Sequence, residues 1–426
     1  MVKSPLLWLV LLCVLPRVAV LLIQHENLRS DPDGYRQVAR NLIEWRVLGI
    51  GSEPTAIRPP LYPLLVALCE WMDPGGLMAL AGAQLLLGLA TVWGTYRLGK
   101  MWGLPELAAA LAALWIAWDP ILLQQSTLVM TETLATALAV WALWRLTDVI
   151  AQSHATLGQW LYTGAVLGAA ALCRPTFWIW NAMVLVALCL SRTEASGLPQ
   201  PQRNSERWRG LGAWLLGLAV VTLPWVVRNL NVFDQPIIAT THGGYTLLLG
   251  NNPDFYGWLS DPQGPPVWNS SAWEQEFLAN WKQAEPGARQ DQRYDRLAYR
   301  QAWENIRQQP RDFVRSVVYR WGRFWGVTPK PLDLQESPQR RVLRTLTSAW
   351  YLALFTLAAI GVWLKGRSLM ELPWVFGLLL VLSFALAHAV YWSDLRMRAP
   401  IEPVLALLAG LGSARIWPGR AGSNAL

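Results

Sequence analysis

Long apolar runs alternate with short polar breaks through most of the chain. A helix that crosses a bilayer takes roughly 20 consecutive apolar residues. Ten stretches approach that length: 5–23, 77–96, 104–118, 128–146, 157–173, 175–191, 210–227, 345–364, 372–392 and 398–414. The third is short. Arg17 interrupts the first, so its side chain snorkels or faces the protein interior. A cleaved signal peptide is the other reading of that first run. Its generous apolar length and the lack of a clean small-residue cleavage site favour a retained anchor.

Two longer segments separate the runs, 24–76 and 228–342. Within the first, PLYPLLVALCEWM (60–72) would reach only about 20 Å as a helix, short of the roughly 30 Å hydrocarbon core. It is expected as a juxtamembrane or re-entrant helix. In the second, Tyr294, Leu297, Ala298, Ala302, Ile306, Phe313, Val317 and Trp321 recur at mostly helical spacing. That pattern predicts one amphipathic helix near 291–326, suited to the membrane surface. Residues 193–209 read as a short polar hinge. The expected fold class is an all-α polytopic membrane protein. It divides into a membrane module (1–227), a large loop (228–342) and C-terminal spans (343–426).

Composition agrees with the pattern. Of 426 residues, 53% are hydrophobic and 15% charged, against roughly 25% charged in soluble domains. The net charge of +8 matters less than where the cations sit. With the N-terminus inside, the inner loops carry Arg97 and Lys100, then Arg145, then Arg192, Arg203, Arg207 and Arg209, then Lys365 and Arg367, with Arg415 and Arg420 at the end. That distribution follows the positive-inside rule and puts 24–76 and 228–342 outside. Cys13, Cys69, Cys173 and Cys189 all lie in apolar runs, without disulfide or metal-ligand spacing. The basic residues form no continuous patch, and no P-loop, Rossmann fingerprint or HExxH occurs. Nucleic acid is therefore not an expected partner.

The candidate chemistry lies on the outer side. Asp31 and Asp33 precede a short helix in SDPDGYRQVARNL, where capping that helix is the plainer role. Glu132 stands at the outer end of the fourth run, where a helix dipole also favours an acid. Arg58 precedes Pro59-Pro60, Arg228 closes the seventh run, and Arg396 and Arg398 lie between the last two. Single interfacial arginines usually anchor. Several beside acids suggest a polar recess, because the guanidinium fork suits phosphate. Three acids on one side also leave a divalent ion optional.

The stretches DPDGYRQVARNL, PTAIRPPLYPLL, MTETLATAL, LPWVVRNLNVFDQPIIATTHGGYTLLLGNNP and LRMRAPIEPVLALLAG resemble bacterial integral-membrane glycosyltransferases of the protein-mannosyltransferase type. These have the GT-C fold and are related to the aminoarabinose lipid A transferase. The resemblance implies transfer of a sugar from a polyprenyl-phosphate carrier to an acceptor (protein, lipid or glycan) on the extracytoplasmic face of the cell membrane. It implies Asp31 as the base, with Asp33 second and Glu132 as a further acid. Arg58, Arg228, Arg396 and Arg398 become candidates for the lipid phosphate, and Tyr35, Tyr62, His242 and Asn251 for substrate contact. A lone histidine such as His242, before Gly243-Gly244, is more often a structural turn residue. Met397 stands where relatives often have Tyr. A transporter or lipid flippase is the alternative class. Against it, the charges gather at one interface, and only Arg17 sits mid-span, whereas transport pathways carry ionisable groups at the midplane. A non-catalytic binding protein is a second rival.

Overall fold

A computed structural model describes residues 5–152, 154–190, 200–261, 268–282, 290–329 and 336–416. Arg192 and Arg420, counted above among the inner cations, lie outside these. Each of the ten expected spans is a helix: α1 (Pro5–Gln24), α4 (Leu77–Met101), α5 (Glu106–Ala117), α7 (Glu132–Ala151), α8 (Leu157–Cys173), α9 (Phe177–Leu190), α10 (Gln200–Phe233), α16 (Pro338–Lys365), α17 (Trp374–Val390) and α18 (Glu402–Ile416). Five segments are long and apolar enough to cross a membrane alone: 77–101, 132–151, 206–233, 338–370 and 395–416. Between α1 and α4 lie α2 (Tyr35–Trp45), a two-stranded hairpin (Gly49–Ile50 with Glu53–Pro54) and α3 (Leu61–Met72). The short α6 (Pro120–Gln125) precedes α7, capped by Asp119, whose Oδ1 accepts the Leu122 N–H at 2.8 Å. The large loop carries α11 (Gly243–Leu249), α12 (Pro253–Ser260), α13 (Ser271–Lys282), α14 (Gln290–Gln308) and α15 (Pro310–Phe324).

Two expectations need correction. Of the hinge expected over 193–209, residues 193–199 lie outside the described residues, and 200–209 are the first turns of α10. A helix that has left the membrane needs no apolar residues, and Gln, Arg and Glu are good helix formers. The single amphipathic helix over 291–326 is two, broken at Gln309-Pro310. Proline lacks the N–H to continue a helix but is well placed to start one.

Because lipid is as apolar as leucine, helices in a membrane gain little by hiding leucines from it, and close backbone approach does more of the work. Glycines supply that approach here. A methyl group on Gly164 of α8 would overlap the Trp214 carbonyl of α10, and one on Gly217 of α10 would overlap the Leu161 carbonyl of α8. Gly361 of α16 and Gly412 of α18 make the same reciprocal fit against the Leu408 and Leu357 carbonyls. Helix α18, which also packs on α5, is buried from Glu402 to Gly410.

Outside the bundle, polar side chains fix the loops. Arg36 of α2 meets Glu70 of α3 at 2.5 Å and donates to the carbonyls of Leu28 (2.7 Å) and Gly75 (2.8 Å). Arg228, at the end of α10, donates to the carbonyls of Leu48 (2.7 Å) and Thr55 (2.9 Å). From the large loop, Asp291 of α14 accepts from the Thr55 hydroxyl at 2.5 Å, and the Thr241 N–H reaches the Ala56 carbonyl at 2.9 Å. The first loop is thus held between α10 and the large loop.

Gly164→Ala and Gly217→Ala should each cost about 1–3 kcal/mol through overpacking, read as a lower apparent melting temperature of the detergent-solubilised protein. Gly212 lies on α10 with open space around it. Gly212→Ala should leave the melting temperature unchanged, and an equal loss there would refute the close-approach account.

Candidate active site

Four separated stretches meet at one end of the bundle. In the first loop, Gly34 adopts a left-handed φ of 73° at the start of α2. That turn leaves Asp33 just before the helix and Tyr35 as its first residue. Arg58 returns to the same place after the hairpin. Its Nε donates to the Asp33 carbonyl at 2.8 Å, and its guanidinium lies 5.2 Å from the centre of the Tyr35 ring. Glu132 is the first residue of α7. Arg174 forms the break between α8 and α9, ahead of Pro175. Arg396 lies in the 3-10 turn Leu395–Ile401 that leads into α18.

These side chains alternate in charge. Arg58 Nη2 is 3.5 Å from Asp33 Oδ1, and Arg396 Nη1 is 3.9 Å from Asp33 Oδ2. The same Arg396 nitrogen is 3.5 Å from Glu132 Oε1, which is 3.4 Å from Arg174 Nη1. The row therefore runs Arg174, Glu132, Arg396, Asp33, Arg58. Three cations against two anions leave one positive charge in excess. The row is graded in depth: the Glu132 side chain is 2% exposed, Arg174 11%, Arg58 17% and Arg396 30%. At the rim, Asp394 pairs separately with Arg323 at 3.1 Å.

Asp31, two residues before Asp33 in the chain, has no arginine partner among the described residues. Its Oδ2 accepts the Gln37 N–H at 2.9 Å, which caps the start of α2. Its Oδ1 is buried and accepts no hydrogen bond. Tyr35 and Tyr62 meet edge to face at 5.1 Å. The Tyr62 hydroxyl accepts from Gln84 Nε2 at 3.2 Å. Burial pushes the Tyr35 phenol up to about 12, so it stays a neutral hydroxyl. His242, at the entry to α11, stacks on Tyr245 at 4.9 Å. Burial, reinforced by nearby Arg58, holds its imidazole down at about 3.

The structure seats three of the expected residues elsewhere. Arg228 braces the first loop as described. Arg398 is fully buried, 2.7 Å from Glu402, and donates to the carbonyls of Phe324 (3.0 Å) and Gly326 (2.6 Å). Its guanidinium lies 4.1 Å from the Tyr351 ring centre. Asn251 donates to the carbonyls of Leu247 (2.7 Å) and Val390 (3.1 Å) and accepts from the Tyr256 hydroxyl at 3.1 Å. Arg174 is the residue that the sequence reading passed over. Its signal is an Arg-Pro step between two spans on the side that holds Glu132, the same pattern as Arg58-Pro59.

A divalent ion does not fit this donor set. Among the described residues no three His, Cys, Asp or Glu side chains converge. The two acids of the row already face guanidinium groups, where a hard cation needs several free oxygens.

Residues 57–225 match the family model described as dolichyl-phosphate-mannose-protein mannosyltransferase. No curated protein sequence matches the chain. Among solved structures, the oligosaccharyltransferase AglB of Archaeoglobus fulgidus, in complex with an inhibitory peptide and a dolichol-phosphate, aligns with a TM-score of 0.52 at 14% identity, over 96% of this chain and 50% of that one. The oligosaccharyltransferase of the same organism tethered to an acceptor peptide aligns at 0.54 and 14%, over 96% and 49%. ArnT from Cupriavidus metallidurans bound to undecaprenyl phosphate aligns at 0.43 and 15%, over 97% and 79%. The chain spans about half the length of the archaeal proteins, and at such identities the likeness is one of fold. The chain is thus a multi-pass membrane protein with the GT-C glycosyltransferase fold, similar over residues 57–225 to the protein-mannosyltransferase family.

Proposed function

We propose that the protein is an inverting glycosyltransferase. In this reading it moves a sugar from a polyprenyl-phosphate carrier to an acceptor hydroxyl at the extracytoplasmic face of the bacterial inner membrane. The observation that carries this reading is the alternating row of three arginines and two acids, with one positive charge in excess. A phosphodiester to a lipid carries one negative charge. The arginines of the row suit that oxyanion, held at the bundle end where the lipid tail can stay among the helices. Chain alternation supports the outer placement. The site lies at the end opposite Arg97, Lys100, Arg145, Arg207 and Lys365, which the positive-inside rule puts in the cytoplasm.

The chemistry needs a base at the acceptor and positive charge at the departing phosphate. Asp31 suits the first role. One oxygen is fixed by the Gln37 N–H and the other is free to take a proton. Asp33 has both oxygens facing arginines and serves to position Arg58 and Arg396. As Asp31 removes the acceptor proton, the acceptor oxygen forms a bond to the anomeric carbon. The bond from that carbon to the phosphate oxygen breaks, and its electron pair stays on the phosphate. Arg58, Arg174 and Arg396 stabilise the charge that builds there. Attack from the face opposite the leaving group inverts the centre. The proton on Asp31 then returns to solvent or to the lipid phosphate. Tyr35, backed by the fully buried Tyr62, and the neutral His242 serve as hydrogen-bonding and stacking groups for the sugar or acceptor.

Three outcomes test this reading with purified protein and a radiolabelled polyprenyl-phosphate sugar. Asp31→Asn should lower turnover about 100-fold or more, the size of a lost general base, with folding and insertion intact. Normal turnover in that variant would remove Asp31 from the role. Arg174→Gln and Arg58→Ala should raise the apparent KM for the lipid-linked sugar, and an unchanged KM in both would refute the phosphate assignment. Since His242 takes up no proton until about pH 3, the pH profile of turnover should show no limb near the ordinary histidine value of about 6.5. A limb there that His242→Gln abolishes would overturn the neutral assignment.

A further inference from the structure

Two buried arginines elsewhere, Arg398 and Arg36, are each held by close oxygen acceptors, with one nitrogen apiece (Arg398 Nη2, Arg36 Nε) left over. Arg398 has Glu402 at 2.7 Å and two carbonyls, and Arg36 has Glu70 at 2.5 Å and two carbonyls. Arg174 and Arg396 differ. Their shared partner, Glu132 Oε1, stands off at 3.4 and 3.5 Å, well beyond the roughly 2.7–2.9 Å of a charge-assisted hydrogen bond. Beyond Asp33, 3.9 Å from Arg396, their other contacts are thioethers: Arg174 Nη2 to Met397 Sδ at 2.9 Å and Arg396 Nη1 to Met130 Sδ at 3.6 Å. Thioether sulfur is a weak acceptor. Arg174 Nη1 is buried without a hydrogen bond, and so is Glu132 Oε2. Two guanidinium groups with unspent donors thus flank a carboxylate that holds neither of them tightly.

We propose that Glu132 is a resident competitor anion. It balances Arg174 and Arg396 while no phosphate is present and contests those arginines with the phosphate ligand, so that the lipid phosphate left after sugar transfer departs. That product is a monoester and carries more negative charge than the diester donor, so it would cling harder to the same arginines if nothing opposed it. The ligand class is a phosphate oxyanion, and the proposal rests on the donor reading above. A purely structural ion pair makes the opposite prediction: losing Glu132 would loosen the arginines and weaken phosphate binding. The sign of the effect decides between the two.

The test is equilibrium binding of undecaprenyl phosphate to the full-length chain in nanodiscs, with inorganic phosphate as a second ligand. Glu132→Gln should bind undecaprenyl phosphate about tenfold more tightly, the scale of one charged hydrogen bond, and release it more slowly. Inorganic phosphate should gain by a similar factor, and the gain should vanish when Arg174→Gln is added. An unchanged or weaker affinity in Glu132→Gln overturns the proposal. So does a gain confined to the lipid, which would place the effect at the tail. If Glu132→Gln does not fold, Glu132→Asp draws the carboxylate back by one methylene and should still tighten binding, and weaker binding there overturns the idea. Failure of the wild type to bind undecaprenyl phosphate at all would sink the donor reading itself, whereas equal binding by wild type and variant would sink only the competitor role.

Discussion

The pairing of opposite charges from segments far apart in sequence is the constraint on which this architecture turns. A lone ionised side chain in so buried a place is costly by several kcal/mol, and removing one partner of a pair leaves the other exposed to that cost. In the row from Arg174 to Arg58, each interior member faces an opposite charge on both sides. Such a row exists only if the first loop, the start of α7, the α8–α9 break and the turn before α18 are held together. The scaffold around it can be understood as meeting that requirement. Reciprocal glycine contacts seat α8 on α10 and α16 on α18. Arg36–Glu70 folds the first loop on itself, and Arg228 and Asp291 pin it from either side.

Most of the fold was legible in the sequence, because apolar run length is a direct consequence of bilayer thickness. Where the reading failed, the apolar pattern carried no information. The first turns of α10 are polar helix, and the break at Pro310 lies within a periodic pattern that continues on both sides. The candidate site was partly legible. Acids and arginines at the outer ends of spans pointed to Asp33, Arg58, Glu132 and Arg396. Arg174 was missed because a single residue between two spans looks like a linker. Asn251 was placed by neighbouring motif residues alone, and the structure uses its amide to tie α11 to the end of α17.

The arginines at 396 and 398 show why residue type and position fall short. They are two apart in a 3-10 turn. At about three residues per turn, two side chains so spaced point in widely different directions. Arg396 faces the row, and Arg398 faces the interior. Sequence spacing alone would separate them only if the segment were known to be helical, since an extended strand would put both on one face.

Arg398 nonetheless bears on the recess. Its contacts to Glu402 and to the carbonyls of Phe324 and Gly326 tie the start of α18 to the end of α15. The turn that carries Arg396 runs directly between these anchors, so the buried ion pair fixes the backbone from which Arg396 reaches out. The same layer extends inward. Tyr351, stacked under Arg398, donates to Asp119 at 2.9 Å, and buried Arg17 of α1 donates to the Ile116 carbonyl at 2.8 Å. The mid-span arginine of the first run therefore faces protein rather than lipid. The closely held Arg398 below orients a sparsely bonded row above. A rigid base with unspent hydrogen bonds at its edge is the arrangement that preorganised electrostatic stabilisation requires. Reversing it, with Arg398 loose and the row tightly bonded, would leave that edge without fixed, available donors.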